Sequence, residues 1–204
     1  MSQKTATIGR PREFDREAAL QVAVKLFFKH GYEGVSIADL TQAMSISPPS
    51  LYAAFGGKEA LYREALDAYL RHKSLAPMET AGCIRDKVEA MLRDMVRAAT
   101  EPGYPAGCMV AGGMLYCAAE HESLASTLTE LRNARCKEFA AMLEQGIASG
   151  ELPPETDAAA ISRYLAALIQ GIAIQAKDGA TQQELFALVD VAMSRWPSSP
   201  SARN

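Results

Sequence analysis

The sequence predicts an all-α protein: a three-helix head carrying a helix-turn-helix, joined by a fourth helix to a C-terminal helical domain. Three observations predict it. Apolar residues recur at spacings of three and four nearly throughout the 204 residues, the period of an amphipathic helix. Runs of β-branched residues are short. Proline is sparse except at a few boundaries, chiefly residues 101–107 and 150–154, where helices are expected to break.

The first helix starts after Asp15, a good N-cap, and carries the stripe Leu20, Val24, Phe27 and Phe28. Gly31 is placed to end it in a left-handed conformation. The second spans about residues 36–44, with Ser36 and Asp39 spaced as a capping box and Val35 and Leu40 as its hydrophobic staple. A four-residue break, 44–47, leads to the third helix. There Ser47 is the N-cap, Pro48 takes the favoured first position, and Ile46 and Leu51 form a second staple. Gly56 and Gly57 close it, and the fourth helix covers about 58–73.

Further helices are expected over 83–100, 107–120, 123–149, 157–177 and 182–196. Asp157 caps the fourth of these, and Thr181 with Glu184 forms a capping box for the last. The 157–177 helix carries Leu165, Leu168 and Ile172 among many Ala and Gly, so a partner helix can approach it from more than one side. The 182–196 helix contributes Leu188 and Val189. These five residues are the expected seam of a homodimer. The domains then read as a head (1–57), a connecting helix (58–75) and an effector-binding and dimerisation domain (76–204).

The bulk numbers fit a soluble cytoplasmic protein. With 49% hydrophobic and 22% charged residues the chain is of ordinary globular composition. It has no uninterrupted apolar run of the ~20 residues that span a bilayer. Its polar, basic first twelve residues are no secretory signal. Four cysteines, Cys83, Cys108, Cys117 and Cys136, lack close pairing and read as reduced thiols. The net charge of -3 divides into +2 over residues 1–75 and -5 over the remainder, a mildly basic head on an acidic body.

Two short helices across a tight turn, braced by a longer one, can be a DNA-binding helix-turn-helix or an αα-hairpin in a bundle. The third helix favours DNA. Its outward residues Pro48, Pro49, Ser50, Ala53 and Ala54 are small and neutral, whereas a solvated bundle face would carry charges of both signs. A face pressed into a groove tolerates no carboxylates.

The segments 31–40 (GYEGVSIADL), 46–55 (ISPPSLYAAF) and 58–61 (KEAL) closely resemble the tetracycline-repressor (TetR/AcrR-type) family over about residues 12–65. The resemblance implies a repressor that binds a palindromic operator as a homodimer and is released by a small molecule. It also implies that Tyr52 and Lys58 grip phosphates, and a phenol and an ammonium suit that task; Tyr52 could otherwise be a core aromatic. One departure from the family pattern is Gly56-Gly57, where the family usually has Ser or Pro-Ser, so one possible phosphate-bonding hydroxyl is missing. Pro48 and Pro49 likewise remove two amide donors from the start of the recognition helix.

Pro49, Ser50 and Ala53 are the candidate base-edge contacts, unless they are small only to let the backbone approach. Ser36, Ser47 and Pro48 complete the candidate DNA-binding surface. Arg10 and Arg12 read as a minor-groove arm or as a solubilising tail. The candidate effector pocket is lined by Met91, Met95, Met109 and Met114 with Cys117 and Tyr164, adaptable and mainly apolar.

The thiols leave a competing reading open. On a 107–120 helix Cys108 and Cys117 would point in opposite directions, while Met114, Cys117 and His121 would share a face able to take Cu(I) or simply pack in a core. Cys108 at a helix start could be a reactive sensor. A redox- or copper-responsive regulator, an architectural DNA-binding protein and a helical adaptor are therefore the alternatives. No phosphate loop, metalloprotease motif or paired His/Asp/Ser arrangement points to catalysis, and no metal or cofactor is expected.

Overall fold

The computed structural model describes residues 14–73 and 82–197; Arg10 and Arg12, the candidate minor-groove arm, lie outside the described residues. Among the described residues eight α-helices follow one another: α1 (Arg16–His30), α2 (Ile37–Met44), α3 (Pro48–Phe55), α4 (Lys58–His72), α5 (Ile84–Ala99), α6 (Glu122–Ala148), α7 (Ala158–Lys177) and α8 (Gln182–Met193). A single 3-10 turn, Ala119–His121, precedes α6, and there is no strand among the described residues.

Local sequence sets the ends of these helices. Asp15 accepts from Ala18 N–H at the start of α1. Ser36 with Asp39 and Thr181 with Glu184 form complete capping boxes on α2 and α8, and Asp157 caps α7. Cys83, the N-cap of α5, makes no side-chain bond. The Glu151 carboxylate serves instead, accepting from Ile84 N–H across the α6–α7 loop. The turns between α1 and α4 rest on positive φ at Gly31 (73°), Ser45 (55°), Gly56 (79°) and Gly57 (136°). The last two explain the glycine pair, since side chains rarely tolerate that conformation.

Two apolar clusters form. The head cluster gathers α1–α4 around Phe27, Leu40, Leu51, Leu61 and Tyr62, each at most 1% exposed. The body cluster packs α5, α6, α7 and α8 around Val88, Leu92, Phe139, Leu143 and Val189. The head cluster does not stop at the head: Met109, Met114, Leu124 and Leu128 are buried in it.

The helix expected over 107–120 does not form. Three glycines at 107, 112 and 113 each weaken a helix by about 1 kcal/mol relative to alanine. Two residues of this stretch take positive φ, Gly107 at 110° and Met114 at 52°. The freed backbone groups find other partners, as burial demands. Gly107 N–H donates to Ala99 C=O (2.8 Å), while Gly112 N–H keeps a helix-like bond to Cys108 C=O four residues back (3.2 Å). Met109 N–H donates to the Tyr69 hydroxyl (3.3 Å), and Arg132 donates to the Val110 and Gly113 carbonyls (2.9 and 3.1 Å). A helix would point one stripe one way. This compact coil sends Met109 and Met114 into the head while its own backbone faces α6.

Gly113 is required by contact. A Cβ there would stand 2.3 Å from Met109 C=O and 3.2 Å from Leu128 Cδ1, whereas one on Gly112 would meet only Cys108 C=O at 3.8 Å. Gly113→Ala is therefore expected to cost about 1–3 kcal/mol, and Gly112→Ala much less. Urea denaturation of both variants measures the difference, and equal midpoints would remove the steric argument.

Candidate nucleic-acid interface and internal cavity

At the outer end of the head, α3 turns Leu51 and Phe55 inward, packs Ala54, expected outward, half-buried against the head cluster, and leaves the rest of its surface in solvent. Ser47, Pro48, Pro49, Ser50, Tyr52 and Ala53 are all exposed, as is Ser36 at the start of α2. Ser47 accepts from Ser50 N–H (3.3 Å), and the two hydroxyls are 2.8 Å apart. Tyr52 is 54% exposed, with its ring lying across Gly57: a Cβ on that glycine would stand 3.6 Å from Cε1. Tyr52 therefore packs on no hydrophobic core. Lys58, at the first position of α4, is half-buried with Nζ 4.1 Å from the centre of the Tyr32 ring. This seat restricts the ammonium beside α3 and leaves its donors available.

Sequence reasoning missed the brace behind this face. Arg16 forms a two-pronged pair with Glu64 at 2.6 and 2.7 Å and donates from Nε to Ala54 C=O (3.2 Å). Its guanidinium lies 4.6 Å over the Phe55 ring. One side chain thus ties the start of α1 and the middle of α4 to the end of α3. The partners lie 38 and 48 residues away, so no local pattern announces them.

The body holds a cavity of about 190 Å³ walled by α4, α5, the 107–111 stretch, α6 and α7. Of the six residues expected to line an effector pocket, only Met95 does so. Met91 is buried in the body cluster. Met109 lines a smaller second cavity of about 60 Å³, and Met114 is buried in the head cluster. Cys117 packs half-buried against the head cluster, and Tyr164 is 51% exposed on α7. Met109, Met114 and Cys117 lie elsewhere because the helix over 107–120 does not form, whereas Met91 and Tyr164 sit on faces of α5 and α7 that turn into the body cluster and to solvent. The walls are instead made by Tyr69, Leu70 and Lys73 of α4, with Val110, Leu131 and Ile169 opposite.

Cys108 borders both cavities. It is not at a helix start, so the helix-dipole argument for a reactive thiol lapses. Its neighbour is Tyr69, whose pKa is raised by burial and then by the adjoining thiol. Met114, Cys117 and His121 no longer share a helical face. Among the described residues no group of three or more His, Cys, Asp or Glu is arranged to hold a metal.

Of the five residues expected at a subunit seam, Leu165, Ile172 and Val189 are buried inside the chain's own body cluster, at 1%, 0% and 0% exposure. Leu168 and Leu188 are half-buried. α7 is apolar on two faces, and Leu165, Ile169 and Ile172 lie on the inner one. The outer face of α7 and α8 shows Tyr164, Ile174 and Val191 in solvent, with open space over Gly171. By length and composition α7 is the one helix among the described residues apolar enough to cross a membrane.

The head and the cavity are connected. Glu33, in the α1–α2 turn, accepts from Ala118 N–H (3.1 Å) and contacts His121 Nδ1 (2.8 Å). The His121 ring stands edge-on to Tyr32 with centroids 4.7 Å apart. Arg63 of α4 donates to Ser123 and Thr127 of α6. At the other end of α4, Lys73 and His72 both pair with Glu101.

A braced helix-turn-helix with a bare neutral face, joined to a helical body that holds a cavity, is the arrangement of a DNA-binding regulator with head and body in one chain. The comparisons agree. Residues 19–65 match the family described as bacterial regulatory proteins, tetR family, and residues 85–189 match a tetracyclin repressor-like C-terminal domain. The chain belongs to the TetR family of transcriptional regulators. It is 35% identical over 193 residues to the HTH-type transcriptional repressor ComR of Escherichia coli K12, covering 93% of this chain and 92% of that one. It is 29% identical to the regulator YezE of Bacillus subtilis 168, over 92% and 98% of the two chains. Among solved structures it resembles a cysteine mutant of the TetR-family regulator CifR bound to 26-base-pair operator DNA. That likeness has 39% identity and TM-score 0.83, and covers 93% of this chain and all of the other.

The Glu33 contact gives the head–body junction a pH dependence of definite sign. The Ala118 amide, and then His121, hold the Glu33 carboxyl below its ordinary value of 4.5. A carboxylate depressed in the folded state contributes stability that is fully present above its unfolded pKa and lost as pH falls through the folded value. The thermal midpoint should therefore fall below about pH 4.5, and Glu33→Gln should flatten part of that fall. Melting curves from pH 7 to 3 test this; an unchanged slope in the variant would show that the junction does not depend on Glu33.

Proposed function

We propose that the chain is a cytoplasmic, non-enzymatic repressor that binds a palindromic double-stranded operator as a homodimer and is released by a small, mainly apolar effector. The observation that carries this reading is the outer face of α3. It is exposed, free of carboxylates, formed by Pro48, Pro49, Ser50, Tyr52 and Ala53, and flanked by the seated Lys58. In this reading Tyr52 and Lys58, with Ser36 and Ser47, hold phosphates and fix the register. Pro49, Ser50 and Ala53 meet base edges and thymine methyls, and the terminal Arg10 and Arg12 enter the neighbouring minor groove.

The similar proteins support this: ComR is a transcriptional repressor, and the CifR mutant was solved on operator DNA. The effector site is the 190 Å³ cavity, because α4 forms one wall of it and also enters the head. A second reading is favoured by a single observation, that Cys108 lines the cavity beside buried Tyr69. There the thiol itself would take an electrophile or oxidant.

Fluorescence anisotropy on duplexes from the chain's own upstream region and on random duplexes tests the division of roles. Lys58→Ala should weaken all sequences alike and reduce the salt slope by about one. Ser50→Ala should shift the preference among half-sites by ~1 kcal/mol or more. The reverse assignment of effects would overturn the proposal. Release of operator by apolar compounds in both wild type and Cys108→Ser supports the cavity reading, whereas release by electrophiles alone, lost in Cys108→Ser, supports the thiol.

For the dimer, the seam is proposed on the outer face of α7 and α8, at Tyr164, Ile174 and Val191 with half-buried Leu168 and Leu188. Helices of 20 and 12 residues present roughly 30 and 18 Å of length, enough for about 800 Å² per partner. Ile174→Glu and Val191→Glu should each yield monomers in sedimentation at micromolar concentration. A dimer that survives both would place the seam elsewhere.

A further inference from the structure

Four charged side chains reach the wall of the cavity, and three of them are answered. Lys73 pairs with Glu101, and Arg135 pairs with Glu138 at 2.9 Å. Arg132 forms no ion pair among the described residues. Its Nη1 donates to the Val110 and Gly113 carbonyls at 2.9 and 3.1 Å, and its Nη2 to Thr129 Oγ1 at 2.9 Å. These oxygens satisfy N–H groups but bring no negative charge.

From this we infer that the effector is an amphipathic organic acid, its apolar body in the cavity and its carboxylate on the Arg132 guanidinium. The inference deepens the effector reading above and rests on it. Met95, Val110, Leu131 and Ile169 supply apolar wall, so the ligand needs one polar end only. Arg132 is partly desolvated, and burial pulls its pKa down: an anion relieves that cost, while a cation would add to it. A planar guanidinium meets a carboxylate with two parallel hydrogen bonds, stronger and more directional than a neutral contact. At about 190 Å³ the cavity is smaller than the ~300–1,000 Å³ of drug-sized sites, which selects an acid of one or two rings or a short chain.

The same guanidinium holds the 107–121 stretch to α6 through two carbonyls. That stretch ends in the Ala118 and His121 contacts to Glu33 of the head. An anion that draws Arg132 toward the cavity takes those bonds away from the stretch. Ligand charge and head contact thus compete for one side chain, which gives the effector a different affinity for the two arrangements, as any switch requires.

The experiment is calorimetric titration of the full-length protein with matched acid and amide probes: benzoate and benzamide, 2-naphthoate and 2-naphthamide, hexanoate and hexanamide. At least one acid should bind ten or more times tighter than its amide. Arg132→Gln should abolish that preference while leaving the amide within twofold, Arg132→Lys should keep part of it, and Ala166→Phe, which fills the cavity, should remove both ligands. The preferred acid should also loosen the protein from DNA. If acid and amide bind wild type equally, or the preference survives Arg132→Gln, the anion assignment falls, and the cavity stands provided Ala166→Phe still blocks binding. If no probe binds, or binding ignores Ala166→Phe, the cavity reading falls and the anion with it. Should circular dichroism show Arg132→Gln unfolded, the wild-type comparison and Arg132→Lys decide.

Discussion

Met109 and Met114 of the irregular stretch are buried in the same cluster as Phe27, Tyr62 and Leu66 of the head. Tyr62 meets Phe27 and Tyr32 edge-on at 5.1 and 5.2 Å, and Tyr32 meets His121 at 4.7 Å. A chain of aromatic rings therefore runs from α1 to the threshold of α6. Burying one large apolar side chain contributes about 1.5–3 kcal/mol, so parting the head from this stretch means exposing several at once. The head, α4, the 107–121 stretch and the first turns of α6 are packed as one body, so relative motion costs least where this body meets α5, α7 and the rest of α6.

The cavity lies on that boundary. Its α4 wall is formed by Tyr69, Leu70 and Lys73, at the end of the helix far from Gly57. That end is pinned to the α5 exit by Glu101, and the His72 ring stacks on Tyr104 at 4.7 Å. Fifteen residues of α4 span roughly 22 Å, so a small displacement at the cavity becomes a displacement of α3 at the other end. In the effector reading, a hundredfold change in DNA affinity requires about 2.7 kcal/mol of coupling. A single charge-assisted contact that forms in one arrangement only is of that order.

How much of this was legible in the sequence depends on how local its determinants are. α1 to α4 and α8 follow from caps and staples within five residues of each helix end, and the sequence reading of them matches the structure to within a residue or two, except at the C-terminus of α8, which stops at Met193. The stretch 107–120 was misread because its apolar spacing mimics a helix. Its Met109 and Met114 answer to a core built by distant residues, and the glycines outweighed the periodicity. On α7 periodicity cannot tell an inner apolar face from an outer one. Leu165 and Ile172 lie inward and Tyr164 and Ile174 outward, a choice made by what α5, α6 and α8 present to α7 and not by the residues themselves. Arg16 with Glu64, Lys58 over Tyr32, and the lone charge of Arg132 are all long-range facts without a sequence signature.

The construction of α3 has a consequence for how such a protein diversifies. Its stability comes from Leu51 and Phe55 on the inside, the Ser47 cap, Arg16 behind and the two glycines after it. Pro49, Ser50 and Ala53 carry almost none of it, and substitutions at exposed positions of that sort usually change folding free energy by no more than about 0.5 kcal/mol. In the proposed division of roles, recognition and foldability are therefore nearly separable: mutation at these three sites would explore new target sequences without passing through an unfolded ancestor, and a designer would have a free alphabet on a fixed support.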